Sequence, residues 1–122
     1  MTRHLMELTT DDLVAGFASI GVEQDKSLLH GDTAKFNKLF EQMRLVSEEL
    51  RGRRGDQRRA LLALFDHPNI QVRLKAAKHS LAVAPIEARR QIEEIARSGH
   101  FPQAGEAGMS LDNLDSGFFK PV

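Results

Sequence analysis

With 122 residues, 41% apolar and 28% charged, the chain has the make-up of one ordinary soluble globular domain, rich in helix formers and free of β-branched runs. The absence of Cys excludes disulfides, thiolate nucleophiles and Cys-ligated metal sites, and no apolar run reaches the roughly 20 residues that cross a bilayer. Seventeen basic residues balance seventeen acidic ones, yet a basic stretch over 51–90 (net +7) separates acidic ends of net −4 and −3.

Glu7, Asp11 and Asp12 occupy the place of a signal peptide's apolar region, so an unexported, cytoplasmic chain is expected. Thr9 and Asp12 form a capping-box-like pair that opens a first helix, in which Leu13, Phe17, Ile20 and Leu28 keep helical spacing. Gly31 supplies its stop and Asp32 the next N-cap. The second helix carries the stripe Phe36, Leu39, Phe40, Met43, Val46 and Leu50, and ends near Gly52. In "LRGRRGDQRR", Asp56 is placed to cap a short third helix carrying Leu61, Leu62, Leu64 and Phe65.

"DHPN" breaks that helix: Pro68 drives the residue before it out of the α region, and Asn69 is a strong N-cap. The fourth helix should run from Ile70 to about Val83. Pro85 suits the first position of a fifth, whose buried stripe is Ala88, Ile92, Ile95 and Ala96 and whose end is Ser98-Gly99. Ala104, Ala107, Leu111 and Leu114 predict a sixth helix stopped by Gly117, although Gly105 and Gly108 each weaken it by about 1 kcal/mol relative to Ala. In the tail, Phe118 and Phe119 are expected to strap over the core rather than stand out as an anchor for a partner.

The fourth helix has too many apolar residues for one face. With Ile70 at zero, Ile70, Leu74, Ala77, Leu81 and Ala84 fall within about 40° of zero, while Val72, Ala76 and Val83 fall at about 200° to 240°. A strip of Gln71, Lys75, Lys78 and His79 remains for solvent, and Arg73 lies in the gap between the apolar faces. Such a helix is built to be packed from both sides, as in layered helical hairpins. A faint repeat supports this. At an offset of thirty residues, Arg59 falls on Arg89, Ala77 on Ala107, Ser80 on Ser110 and Leu81 on Leu111.

The stretch "HPNIQVRLKAA" resembles the turn and second-helix start of HEAT repeats. Pro68, Val72, Arg73, Ala76 and Ala77 match that pattern, and His67 stands where the family has Asp. The whole chain is similar to a family of small, uncharacterised bacterial helical domains of the HEAT/armadillo-like class. The resemblance implies a layered helical fold that binds macromolecules and carries out no reaction. It also implies a polar ladder through Arg73, with Asp66 serving beside the substituted His67.

Little in the sequence points to chemistry. The histidines His4, His30, His67, His79 and His100 are scattered, without the i, i+4 pairing of a helix-borne metal site. No nucleophile elbow, phosphate loop or dinucleotide fingerprint occurs, and the adjacent pairs Asp11/Asp12 and Glu93/Glu94 point about 100° apart on a helix. No cofactor, metal or catalytic residue is therefore expected. The arginine run has two readings: a site for phosphate or an acidic surface, or Arg51, Arg53 and Arg54 satisfying the carbonyl end of the second helix and offsetting its dipole.

The expectation is an all-α domain of about six helices: two longer ones over 1–54, HEAT-like hairpins over 55–84 and 85–117, and a tail at 118–122. Its expected role is non-enzymatic binding of a compact, acidic protein, or a second copy of itself, through Gln71, Lys75, Lys78, His79, Arg53, Arg54 and Arg59. Nucleic-acid backbone bound by the same basic segment is the alternative, and no membrane is involved. Asp66, Asn69 and Arg73 are read as structural. A guanidinium between two apolar faces needs an acid or carbonyl partner, so Arg73→Ala should lower the melting temperature in a thermal denaturation.

Overall fold

A computed structural model describes residues 2–122, the side chains of Thr2 and Arg3 excepted. Among these residues all regular structure is helical: six α-helices and one 3-10 helix. The contacts within the chain divide it into two compact units, Met1–Ala60 and Leu61–Val122. The boundary falls inside the third of the anticipated helices rather than before it.

The first unit holds α1 (Thr2–Met6), α2 (Thr10–His30) and α3 (Thr33–Gly52). The Thr9–Asp12 capping box starts α2: the Asp12 amide donates to Thr9 Oγ1 at 3.0 Å and the Thr9 amide to the Asp12 carboxylate at 3.4 Å. Gly31 stops it in the left-handed conformation (φ 65°), which costs glycine nothing. Asp32 caps α3 by accepting the Lys35 amide at 3.0 Å. Two residues thus turn the chain, and α2 packs on α3 with Leu13, Phe17, Leu39, Met43, Val46 and Leu50 buried. Phe40 and Leu28, expected in the buried stripes, are exposed. Phe40 sits about 90° from the centre of the α3 stripe, and Leu28 lies in the last turn of α2, where Gln24 and Ser27 are the buried residues.

Arg53 ends α3 and ties down the start of the chain. Its guanidinium donates to the Leu5 and Leu8 carbonyl oxygens at 3.0 and 2.6 Å and pairs with Glu49 at 2.9 Å. The expected offset of the α3 dipole is therefore not its main work. It holds the Leu5 carbonyl, which also accepts the Leu8 amide, and the Leu8 carbonyl just beyond α1, a helix not anticipated from the sequence.

The segment anticipated as the third helix, η1 (Gln57–Leu64), is a 3-10 helix rather than an α-helix. Gly55 and Asp56 before it are both left-handed (φ 78° and 51°). Asp56 still accepts the Arg58 amide at 3.3 Å, and its carboxylate is held below the usual range, chiefly by its hydrogen bond to the Arg58 side chain.

The second unit contains α4 (Ile70–Ser80), α5 (Pro85–Ala96) and α6 (Gln103–Asp115). The main helix partners of α4 are α5 and α6, not η1, and α5 also packs on α6. Leu74, Ala77, Leu81, Ala88, Ile92, Ile95 and Ala107 form the core, with Ile70, Leu111 and Leu114 packed against it. Each fully buried Leu or Ile contributes about 2 kcal/mol. The first apolar face of α4 is this core's centre. Val72 and Ala76, on the second face, are buried as well. The helix ends at Ser80, three residues early: Ala84, before Pro85, lies outside the helical region (φ −145°, ψ 63°), and the Val83 and Ala84 amides both donate to the Ser80 carbonyl. The sixth helix forms despite its glycines, and Gly117 follows it in the left-handed conformation.

At the start of α4, Asn69 accepts the amides of Gln71 and Val72 at 2.9 and 3.3 Å. His67 Nδ1 in turn accepts the Asn69 amide at 3.0 Å, as an aspartate carboxylate would in an Asx turn. The His67 carbonyl takes the Arg73 guanidinium at 2.7 Å, so Arg73 has a carbonyl partner, and Asp66 is exposed. His67→Ala should therefore cost about 1 kcal/mol and His67→Asp clearly less, measured by urea denaturation at neutral pH.

Candidate interaction site

The side chains expected to form an exposed strip on α4 do not stand in solvent together. Gln71 and Lys75 are buried, at 1% and 6% exposure, and only Lys78 and His79 are half-exposed. What covers them is α6. Positions 71, 75 and 78 recur at four and three residues along α4, and Gln103 and Glu106 are one turn apart on α6 beside the buried Ala104 and Ala107. The two rows meet as a polar seam. Gln103 Nε2 donates to Gln71 Oε1 at 2.9 Å, and Glu106 Oε2 accepts both Lys75 Nζ at 2.7 Å and Lys78 Nζ at 2.9 Å. Neither Gln103 nor Glu106 is marked by a motif. The signal available was a basic strip with no acid of its own, next to a weak helix carrying one.

Two ammoniums therefore share one carboxylate oxygen. Burial is the largest influence on Lys75 and lowers its pKa below the ordinary lysine value; Glu106 pulls the other way and Lys78 adds to the lowering. For Glu106 burial pushes upward, but Lys75 and Lys78 together outweigh it and hold the carboxyl below its usual range. The asymmetry follows first from the deep burial of Lys75, and then from geometry: the anion answers two cations, whereas Lys75 shares its anion and has a like charge beside it. The cluster keeps one net positive charge, and Lys78, about one-third exposed, is where that charge meets water.

Two hollows open beside Lys78. One, of about 590 Å³, lies between Lys78, Phe101, Pro102, Glu106 and Met109. The other, of about 190 Å³, lies between Lys78, Leu81, Leu114, Phe118 and Phe119. Lys78, Ser110 and Asn113 border both. Phe101 (75%), Met109 (68%) and Phe118 (84%) are largely exposed around them. The tail is thus not the strap expected from the sequence. The Phe119 amide bonds the Asn113 carbonyl at 3.0 Å, which lays the tail along the end of α6, while Leu111 and Leu114 already close the core beneath.

Of the arginines proposed for a partner, Arg53 is occupied by the Leu5 and Leu8 carbonyls, while Arg54 and Arg59 are exposed in the first unit. Among the described residues no cluster of His, Asp or Glu has the arrangement of a metal site, and no helix is long and apolar enough to cross a membrane.

Over residues 11–115 the sequence matches the model of a family described as a domain of unknown function, DUF2019. The chain belongs to the DUF2019 family. The resemblance to small bacterial helical domains holds at that level. This DUF2019 protein is similar to protein RPA1889 from Rhodopseudomonas palustris CGA009, whose crystal structure aligns over 97% of this chain and 98% of that one, at 58% identity and a TM-score of 0.95. No curated protein matches it.

The seam has a pH signature. The Glu106 pKa is lower folded than unfolded, so its contribution to stability is complete above the ordinary value of 4.5 and is lost as pH falls through the folded value. Glu106→Gln should cost about 1–3 kcal/mol at neutral pH, less than a fully buried pair would because the carboxylate is one-third exposed, and should flatten the acid limb of stability against pH. Lys75→Met, which removes the desolvated charge, should cost less. Urea denaturation followed from about pH 3 to about pH 8 reads both effects.

Proposed function

We propose that this DUF2019 protein is a non-enzymatic, cytoplasmic interaction module whose ligand is a compact, acidic protein surface. The observation that carries this reading is the charge imbalance at Lys75 and Lys78, two cations served by the single carboxylate of Glu106. A half-exposed ammonium beside apolar hollows attracts an anion and rewards apolar contact around it. Gln71 and Lys75 support this surface from beneath, and Lys78 and His79 belong to its accessible part.

The HEAT/armadillo-like class remains part of the proposal. Its support is the turn before α4. Pro68, Val72, Arg73, Ala76 and Ala77 keep the repeat pattern, and His67 accepts the Asn69 amide as the usual Asp would. In such arrays the second helix of each pair contributes the binding face, the position of α4 and α6 in the pattern read here.

A second reading is favoured by exposed Arg54 and Arg59 in the first unit: contact with nucleic-acid backbone. Capture from a native lysate of a DUF2019-encoding bacterium separates the two. A protein should be retained by the wild type and lost with Lys78→Met, whereas Arg54→Glu combined with Arg59→Glu should leave it bound. Retention on heparin that falls steeply with salt, and is abolished by the two Arg changes, would favour the nucleic-acid reading instead.

A further inference from the structure

Phe101, Met109, Phe118 and Phe119 are four of the ten large apolar side chains exposed among the described residues, and all four border the two hollows beside Lys78. These are two apolar patches with a charged, polar border between them. The hollows follow α6: one reaches from Phe101 to Asn113, the other from Ser110 to Phe119. Lys78 stands on their shared border with Ser110 and Asn113. A ligand filling both must therefore pass over an ammonium.

We propose that this face is a docking groove for an amphipathic helix of a partner protein, one that carries a carboxylate flanked by apolar side chains one turn away on each side. The inference rests on the acidic-partner reading and names the partner's chemistry. Residues i and i+4 of a helix are about 6 Å apart along its axis, so one row can place an apolar side chain, an acid and a second apolar side chain in line. The acid meets Lys78, which shares its carboxylate with Lys75 and so retains attraction for a second anion. The flanking side chains enter the hollows at Met109 and at Phe118. Ser110 and Asn113 offer polar groups between them.

The charge argues against a second copy of this chain. A two-fold contact centred on the shared border would bring Lys78 against its own copy, ammonium to ammonium, with Glu106 already engaged. An acidic helix removes the imbalance; a second copy doubles it.

The test is an amide NMR titration of the full chain with a helix-constrained synthetic peptide of about five turns, bearing a Leu-x3-Glu-x3-Leu row. Saturable shifts confined to residues around Lys78 and from Phe101 to Phe119 are expected. Affinity should fall at least about tenfold with Lys78→Met and with a peptide carrying Gln for Glu, which is the size of one lost charged contact. Met109→Asp, at an exposed position that the fold does not need, should also abolish binding, and Arg59→Glu should leave it unchanged.

Five results would overturn the groove. No saturable shift up to roughly millimolar peptide would do so, as would shifts located elsewhere or equal affinity for the Gln peptide. Shifts produced instead by decanoate or by anionic vesicles would assign the face to lipid, and concentration-dependent dimerisation abolished by Met109→Asp would assign it to a second copy; either outcome also overturns it. Failure here with a Lys78-dependent protein still captured from lysate removes the helix and keeps the acidic partner. Loss of both removes the broader reading.

Discussion

A buried ammonium must have an anion within reach, and in this protein that requirement fixes where the last helix lies. Lys75 is almost completely enclosed, and its countercharge comes from Glu106, thirty-one residues onward on α6. An unanswered ammonium in such a place would cost several kcal/mol. The apolar core could tolerate small slides of α6 along α4, but the seam could not. A slide of one turn would separate Gln103 from Gln71 and Glu106 from Lys75 together. The polar seam therefore supplies register, and the apolar contacts supply most of the free energy.

Sharing the carboxylate links architecture to surface charge. A one-to-one pair would have left a neutral, inert patch. With Lys78 added, the same contact that positions α6 leaves positive charge at the surface, bordered by side chains that no core element covers. Stability and the proposed binding are thus tied to one cluster, and the cost of burying Lys75 is what makes its half-exposed neighbour conspicuous.

Much of the fold was legible because it is written in local rules. Thr9, Asp32 and Asn69 cap where their side chains can reach free amides, Gly31 turns where only a left-handed residue fits, and Pro85 starts a helix whose first amide needs no partner. The two apolar faces of α4 were visible in their spacing. What sequence reasoning missed was non-local. A wheel shows that Gln71 and Lys75 are polar, not that an acid thirty-one residues away will cover Lys75. In the same way Arg53 reads as a surface cation until the carbonyls of Leu5 and Leu8 come into view. The 3-10 form of η1 was also hidden, since two successive left-handed residues precede it and only one of them is glycine. Phe118 and Phe119 were misplaced because their burial depended on whether the core below was already closed.

The grip of Arg53 on the Leu5 and Leu8 carbonyls also sets an order of assembly. A helix of five residues is far too short to persist in water, since nucleation outweighs the few bonds it can form. Its lock lies forty-eight and forty-five positions away in sequence. During synthesis at roughly 5–20 residues per second, the segment around Leu5 therefore waits some seconds before Arg53 is made. The segment around Leu5 is in this sense a latch that closes only once the end of α3 exists.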